Sequence, residues 1–252
     1  MKGNKSKIAG IVVSVAATVM LWDFIDLLPV IGDPDSAPNT HVSKVYIEEG
    51  PEKTHSANLV TGVLADYRGV DTLLETTVIF LSGITVTLIM SGKQSGKQED
   101  GPFSFQRFRA FGLVEIRVVL PIVLPLVLLY AVYVFVHGEV SLGGGFQAGA
   151  LLSVSYILYC FIAGSRKKRF GISPYASMCI GAFGLLIYFL TGLTPVFFGG
   201  KFLEYSRLPL PFLEEGQRHA VGIILVELGV TICVAASLIT ILEAILERKD
   251  LK

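Results

Sequence analysis

Six runs of about 20 apolar residues, near 8–28, 72–91, 118–137, 144–164, 172–195 and 219–246, constrain this chain more than any other feature. In hydrocarbon every backbone N–H and C=O must find its partner within the protein, so runs of this length specify helices. With 52% hydrophobic residues and a mean hydropathy of +0.63, the 252 residues leave little over for a soluble domain. The expected fold class is all-α: a polytopic membrane protein with about six transmembrane helices.

Charge orients these spans. Most of the 21 Lys and Arg residues fall in segments that share one side of the membrane if the N-terminus is inside, and Arg166, Lys167, Lys168 and Arg169 form the densest group. The positive-inside rule therefore places both termini in the cytoplasm. The basic group reads as a topology anchor against anionic headgroups, with the lipid bilayer as partner and no nucleic acid. Lys2, Lys5 and Lys7 precede the first run as in a signal peptide, yet the run ends in Asp23, Asp26 and Pro29 without an Ala-x-Ala site. A retained helix is expected. Cys160, Cys179 and Cys233 fall inside spans without Cys-x-x-Cys spacing, which reads as small apolar side chains and no metal site. No phosphate loop and no nucleophile–base pair is recognisable, so no catalytic residue and no cofactor is expected.

Residues 30–58, rich in Pro, Asp, Ser, Glu and His, read as an extramembrane loop. Residues 92–116 read as a polar cytoplasmic linker between a two-span piece, 1–91, and a four-span piece, 117–252. No internal repeat crosses that division, which argues against a self-contained transporter of the inverted-repeat kind.

Between the third and fourth spans lies Val136-His-Gly-Glu-Val-Ser-Leu-Gly-Gly-Gly-Phe-Gln-Ala-Gly149. Consecutive glycines suit an irregular chain path or a very close helix contact at membrane depth, and Gly145 and Gly149 also make a Gly-x-x-x-Gly pair. His137-Gly138 followed by Gly143, Gly144, Gly145, Phe146, Gln147 and Gly149 resembles the signature of the B subunit of Mrp-type sodium/proton antiporters (the MnhB/MrpB family). Glu139, Leu142 and Ala148 depart from the histidine, proline and glycine common there. A second stretch, from Asn58 through Asp66, Arg68, Gly69, Asp71 and Thr72 to Glu75, resembles the C-terminal end of the large A subunit of the same antiporters. In membrane-bound hydrogenases and sulfur reductases related to respiratory complex I, an equivalent segment is a small separate subunit. The present chain resembles those two neighbours fused.

Ionisable groups within spans cost about 2.5–3.5 kcal/mol each on insertion scales, so each needs a partner, a neutral form or water. Asp23 and Asp26, and at the other end Glu243 and Glu247 near Arg248, read as interfacial or surface charges. Glu227, well inside the last span, has no such escape, and Glu227-Leu228-Gly229-Val230 resembles a family step in which the acid is usually Asp. It either exchanges a proton or pairs with a cation, or it serves as a hydrogen-bonded tie between helices. Asp71 with Thr72 suggests a helix N-cap, Asp66 and Asp71 flank Arg68 for a local ion pair, and Glu75 falls on the same helical face as Asp71. His137 suits a relay at an aqueous mouth or an interfacial hydrogen bond.

The resemblance implies a membrane subunit of a multisubunit cation/proton antiporter module, with Na+ and H+ as transported ions. The fused first piece points to a complex-I-like hydrogenase or sulfur reductase in a prokaryotic cell membrane. It implies an ion path through Asp71, Glu75, His137, Gln147 and Glu227, with Asp66, Arg68, Gly69, Gly143, Gly144, Gly145 and Gly149 shaping it. Redox chemistry would lie in partner chains. The alternative is a non-conducting spacer of such an assembly.

Overall fold

The computed structural model describes residues 2–25, 28, 30–91, 114–163 and 171–250. The Arg166–Arg169 group, Asp26 and most of the expected linker lie outside the described residues, as do the side chains of Asp23, Glu247 and Arg248. Six long helices carry the fold: α1 (Lys2–Asp23), α2 (Gly69–Ser91), α3 (Val114–Val136), α4 (Gly145–Ala163), α5 (Pro174–Phe197) and α6 (Glu215–Asp250). They occupy the six expected runs, and no strand occurs among the described residues. Four segments, Gly69–Ser91, Val118–Val136, Pro174–Phe197 and Glu215–Ile245, are long and apolar enough to cross a bilayer, and Lys7–Trp22 and Gly145–Cys160 are shorter apolar helices. The protein is an all-α, multi-pass membrane protein.

The chain forms two compact units, Met1–Glu49 and Gly50–Lys252. In the first, α1 has exposed apolar side chains such as Ile11, Val13 and Trp22, as a helix surrounded by hydrocarbon requires. Its first run was expected to reach residue 28 but helix stops at Asp23. The loop expected over 30–58 contains helical turns at Pro38–Val42, Val45–Glu49 and Gly50–Thr54. Pro38 opens the first of these, where its missing N–H would have had no partner anyway.

In the second unit α6 is the hub, packed against α5, α4 and α2, while α3 reaches the bundle mainly through α4. Small residues set each seam. A Cβ on Gly184 of α5 would stand 2.7 Å from both the Gly229 carbonyl and the Cys233 nitrogen of α6, one on Gly149 of α4 would stand 2.8 Å from the Thr231 carbonyl, and one on Gly83 of α2 would meet the Ser237 carbonyl at 3.3 Å. Without a hydrophobic drive between helices in lipid, such close backbone approach is what holds them together. Buried hydroxyls then tie neighbours: Ser177 donates to the Ala236 carbonyl at 2.8 Å and Tyr188 to the Gly69 carbonyl at 2.6 Å.

Glu243, expected as a surface charge, is 4% exposed and accepts a 2.7 Å hydrogen bond from Tyr156 of α4. Tyr156 also accepts from the Ile172 amide at 3.0 Å. Glu243 lies on the inward face of α6, not at its solvated end, and so its carboxyl meets a tyrosine hydroxyl of α4. Cys160 and Cys233 are buried, Cys179 is exposed, and none of the three is in a disulfide.

Candidate functional site

The starts of α2, α4 and α6 and the ends of α3 and α5 meet at one end of the second unit, where residues 54–68, 137–144 and 198–214 close the bundle. Here the glycine turn is held from both sides. Asn58 caps the short helix Leu59–Thr61, accepting from the Val60 amide at 3.0 Å, as N-cap asparagines do. Its side-chain amide also donates to the carbonyls of Gly138 at 2.7 Å and Ser141 at 2.6 Å. Thr61 donates to the Gly138 carbonyl at 2.6 Å, and the Asn58 amide donates to the Glu139 carbonyl at 3.0 Å. The segment that resembles the antiporters' large chain thus satisfies backbone groups that the irregular turn leaves open.

On its other side the turn lies against Glu227. A Cβ at Gly138 would stand 2.9 Å from Glu227 Oε2, and one at Gly144, whose φ of +135° already favours glycine, would stand 3.2 Å from both Glu227 Oε1 and Gln147 Oε1. A Cβ at Gly145 would collide with the Glu227 carbonyl oxygen, and one at Gly143 with the Val134 carbonyl oxygen. The glycines therefore give the Glu227 carboxyl its space. Gln147 is exposed while its side-chain oxygen approaches Gly144, so it stands at the open edge of the same site. Glu139 lies within electrostatic reach of Glu227, its Oε1 is buried without a hydrogen-bond partner, and burial pushes its carboxyl above the ordinary carboxylate range. His137 stacks on Tyr133 one turn earlier, with ring centroids 4.2 Å apart.

Of the expected ion-path residues, Glu227 and Gln147 come together, and His137 lies next to them in the turn. Asp71 and Glu75 do not join them. Asp71 lies inside the first turn of α2 instead of at the cap, because helix begins at Gly69 after a π-helical stretch over Gly62–Tyr67. Its carboxylate takes the Arg68 guanidinium at 2.7 Å, the local pair expected for this motif. Glu75 is exposed one turn further on. Asp66 instead pairs with His219 of α6, at 2.8 Å. Gly69 fits beneath Leu203, whose Cδ1 would stand 2.8 Å from an added Cβ.

Sequence reasoning passed over His219, His55 and Tyr205. His219 packs edge-on against His55, at 5.6 Å between centroids, and against Tyr205, at 5.3 Å. Tyr205 donates to the Ala65 carbonyl at 2.6 Å, and burial pushes its hydroxyl well above its usual range. The available signal was composition: His219 is one of four histidines and stands at the mouth of the last span. No group of three His, Cys, Asp or Glu residues placed to hold a metal ion occurs among the described residues.

These features match known proteins. The family described as a domain related to the MnhB subunit of Na+/H+ antiporter matches residues 115–240. A putative antiporter subunit mnhB2 of Staphylococcus haemolyticus is 34% identical over 132 residues, 52% of this chain and 93% of the relative. A probable K+/H+ antiporter A/B subunit of Rhizobium meliloti is 28% identical over 226 residues, 81% of this chain, and the chain spans only 22% of that relative. Among solved structures, a chain of the membrane-bound sulfane sulfur reductase, an archaeal respiratory membrane complex, has the same fold, with a TM-score of 0.63 at 23% identity over 96% of this chain and 98% of that one. A chain of the Mrp complex from Dietzia sp. DQ12-45-1b aligns with a TM-score of 0.57 at 25% identity, covering 92% of this chain and 25% of that one. Glycine turn, Glu227 and the helices that join them all fall within the matched residues, and the chain belongs to the family of domains related to the MnhB subunit of Na+/H+ antiporters.

Proposed function

We propose that this chain is an ion-translocating membrane subunit of a multisubunit cation/proton antiporter module, working with other subunits of an Mrp-type or complex-I-like assembly in a prokaryotic cell membrane. The observation that carries the reading is the Glu227 carboxyl, seated against a turn whose glycines leave it room. A carboxyl there takes up and releases a proton, or exchanges it for a cation, as the surroundings change. His137, Gln147 and Glu139 border it, and Asp71 and Glu75 serve a neighbouring stretch of path that partner subunits complete. The two-piece division, 1–91 and 117–252 about a linker, is part of the proposal. The extended alignment with the Rhizobium A/B chain supports it. The sulfane sulfur reductase chain carries both pieces at nearly this chain's own length, aligning over 98% of itself, whereas the antiporter chains that carry both are several times longer. This favours a hydrogenase or sulfur-reductase setting, with redox chemistry in partner chains.

Glu227→Gln and Glu227→Leu separate this reading from a passive spacer. Glutamine keeps shape and hydrogen bonding but cannot exchange a proton. In vesicles holding matched amounts of assembled complex, cation-dependent proton movement, tested with Na+ and K+, is expected to be lost in both variants. Normal movement in Glu227→Gln would remove the residue from the path and leave the spacer reading, in which leucine lowers only the amount of assembled complex.

A further inference from the structure

Asp66 and His219 form a part-buried acid–base pair with open space beside the acid. Their side chains are 25% and 11% exposed, and Nε2 of His219 meets Oδ2 of Asp66 at 2.8 Å. Asp66 also lines an open cleft of about 420 Å³ whose other charged residues are Arg68, Asp71, Lys201 and Glu204. Asp71 and Glu204 there pair with Arg68 and Arg207, at 2.7 and 3.6 Å, so Asp66 is the cleft carboxylate that turns to His219. On the inner side, the Tyr205 ring fills the space that the missing Cβ of Gly222 leaves on α6, between His219 and Glu227. Eight residues of α6 separate those two, about 12 Å at 1.5 Å per residue, and Tyr205 lies within electrostatic reach of both Asp66 and Glu227.

We propose that Asp66 and His219 are the proton-exchanging pair through which this cleft communicates with Glu227, so that the A-like segment supplies the acid and the B-like piece the base of one relay station. The proposal rests on the antiporter reading of Glu227. A proton from water in the cleft is taken up at the Asp66–His219 pair, and the imidazole releases it inward. Histidine suits this because one imidazole nitrogen can accept a proton while the other donates one, and Nε2 already meets the Asp66 carboxylate. The groups facing the imidazole are Asp66 from the Gly62–Tyr67 turn, His55 from the stretch after Thr54 and Tyr205 from the turn Tyr205–Arg207, with Glu215 and Arg218 nearby on its own helix. His55 approaches because Gly216 is bare: a Cβ there would stand 3.3 Å from its Nδ1.

The experiment compares His219→Gln, Asp66→Asn and Glu227→Gln in vesicles holding equal amounts of the full complex, with proton movement followed as a function of pH on the cleft's side. The expected result is a loss of about tenfold or more per complex in His219→Gln and Asp66→Asn, together with loss of the response to pH on that side. If Glu227→Gln is inactive while His219→Gln keeps both rate and pH response, the relay is wrong and the Glu227 reading stands. If Glu227→Gln is fully active, the antiporter reading fails and the relay falls with it. A His219→Gln complex that assembles poorly but moves protons normally per complex assigns the pair to structure alone and overturns the proposal.

Discussion

At the scale of single residues, the site depends on groups that hold the glycine turn as much as on the acid it faces. Asn58 makes bonds to two carbonyls of that turn. Replacing it with alanine strands both and removes a cap, a loss expected to be about 1–3 kcal/mol. Asn58→Ala should therefore lower the thermal midpoint of the purified complex and slow proton movement, whereas an unchanged midpoint would show the clamp to be idle. Glu139 gives a pH-dependent case. Burial raises its folded-state pKa, so the folded protein holds this proton more tightly than the unfolded chain. Stability from this group is then lost as pH rises through the folded pKa. Glu139→Gln should raise the midpoint at neutral or alkaline pH and leave it unchanged in acid below the ordinary carboxylate range, as thermal melts across pH would reveal. A partner acid was readable at Glu227 from sequence, because an ionisable residue deep in an apolar run is conspicuous. His219 was not, since a histidine at a span's mouth looks like any interfacial residue until Asp66 is brought to it from 153 positions away.

At the scale of elements, α6 can serve as a hub only because its neighbours present glycine to it. Gly184→Ala should place a methyl 2.7 Å from two backbone atoms of α6, a clash that the packed seam must relieve by moving a helix. The expected cost is about 1–3 kcal/mol, read as a lower melting midpoint of the detergent-solubilised complex. Gly10→Ala in α1, where an added Cβ meets nothing within 4 Å, is the control and should not lower it. The Gly-x-x-x-Gly pair at Gly145 and Gly149 was readable as a contact surface. Its partner was not, because a small-residue stripe declares closeness without saying to what. The boundaries of α2 were legible only in part: Asp71 had the chemistry of a cap, but the preceding turns carry helix back to Gly69.

At the scale of the whole molecule, charge should orient the spans. Both termini and the Arg166–Arg169 group are expected in the cytoplasm, with residues 30–68 and 196–217 outside. A cysteine introduced at Lys167 should resist membrane-impermeant thiol reagents in intact cells and react in inverted vesicles, the native cysteines having been replaced. Strong labelling in intact cells would reverse the orientation, and with it the side from which the Asp66–His219 cleft is reached.

Composition and apolar run length determined the class of this protein and the number and approximate limits of its helices, and resemblance to the antiporter subunits marked the two motifs that matter. Those are properties of local sequence: apolar length sets span number, and glycine density marks where backbone must be irregular or close. Only the tertiary structure decided that the Asn58 segment clamps the glycine turn, that Glu227 faces Gly138 and Gly144, that Glu243 turns inward to Tyr156, and that Asp66 belongs to His219 while Arg68 takes Asp71. Each of those outcomes is a choice among several polar partners that the sequence offers equally. For the buried groups among them, Asn58 and Glu243, the winning choice in a low-dielectric interior is the one that leaves the fewest polar groups unpaired, and that is known only when all the helices are in place.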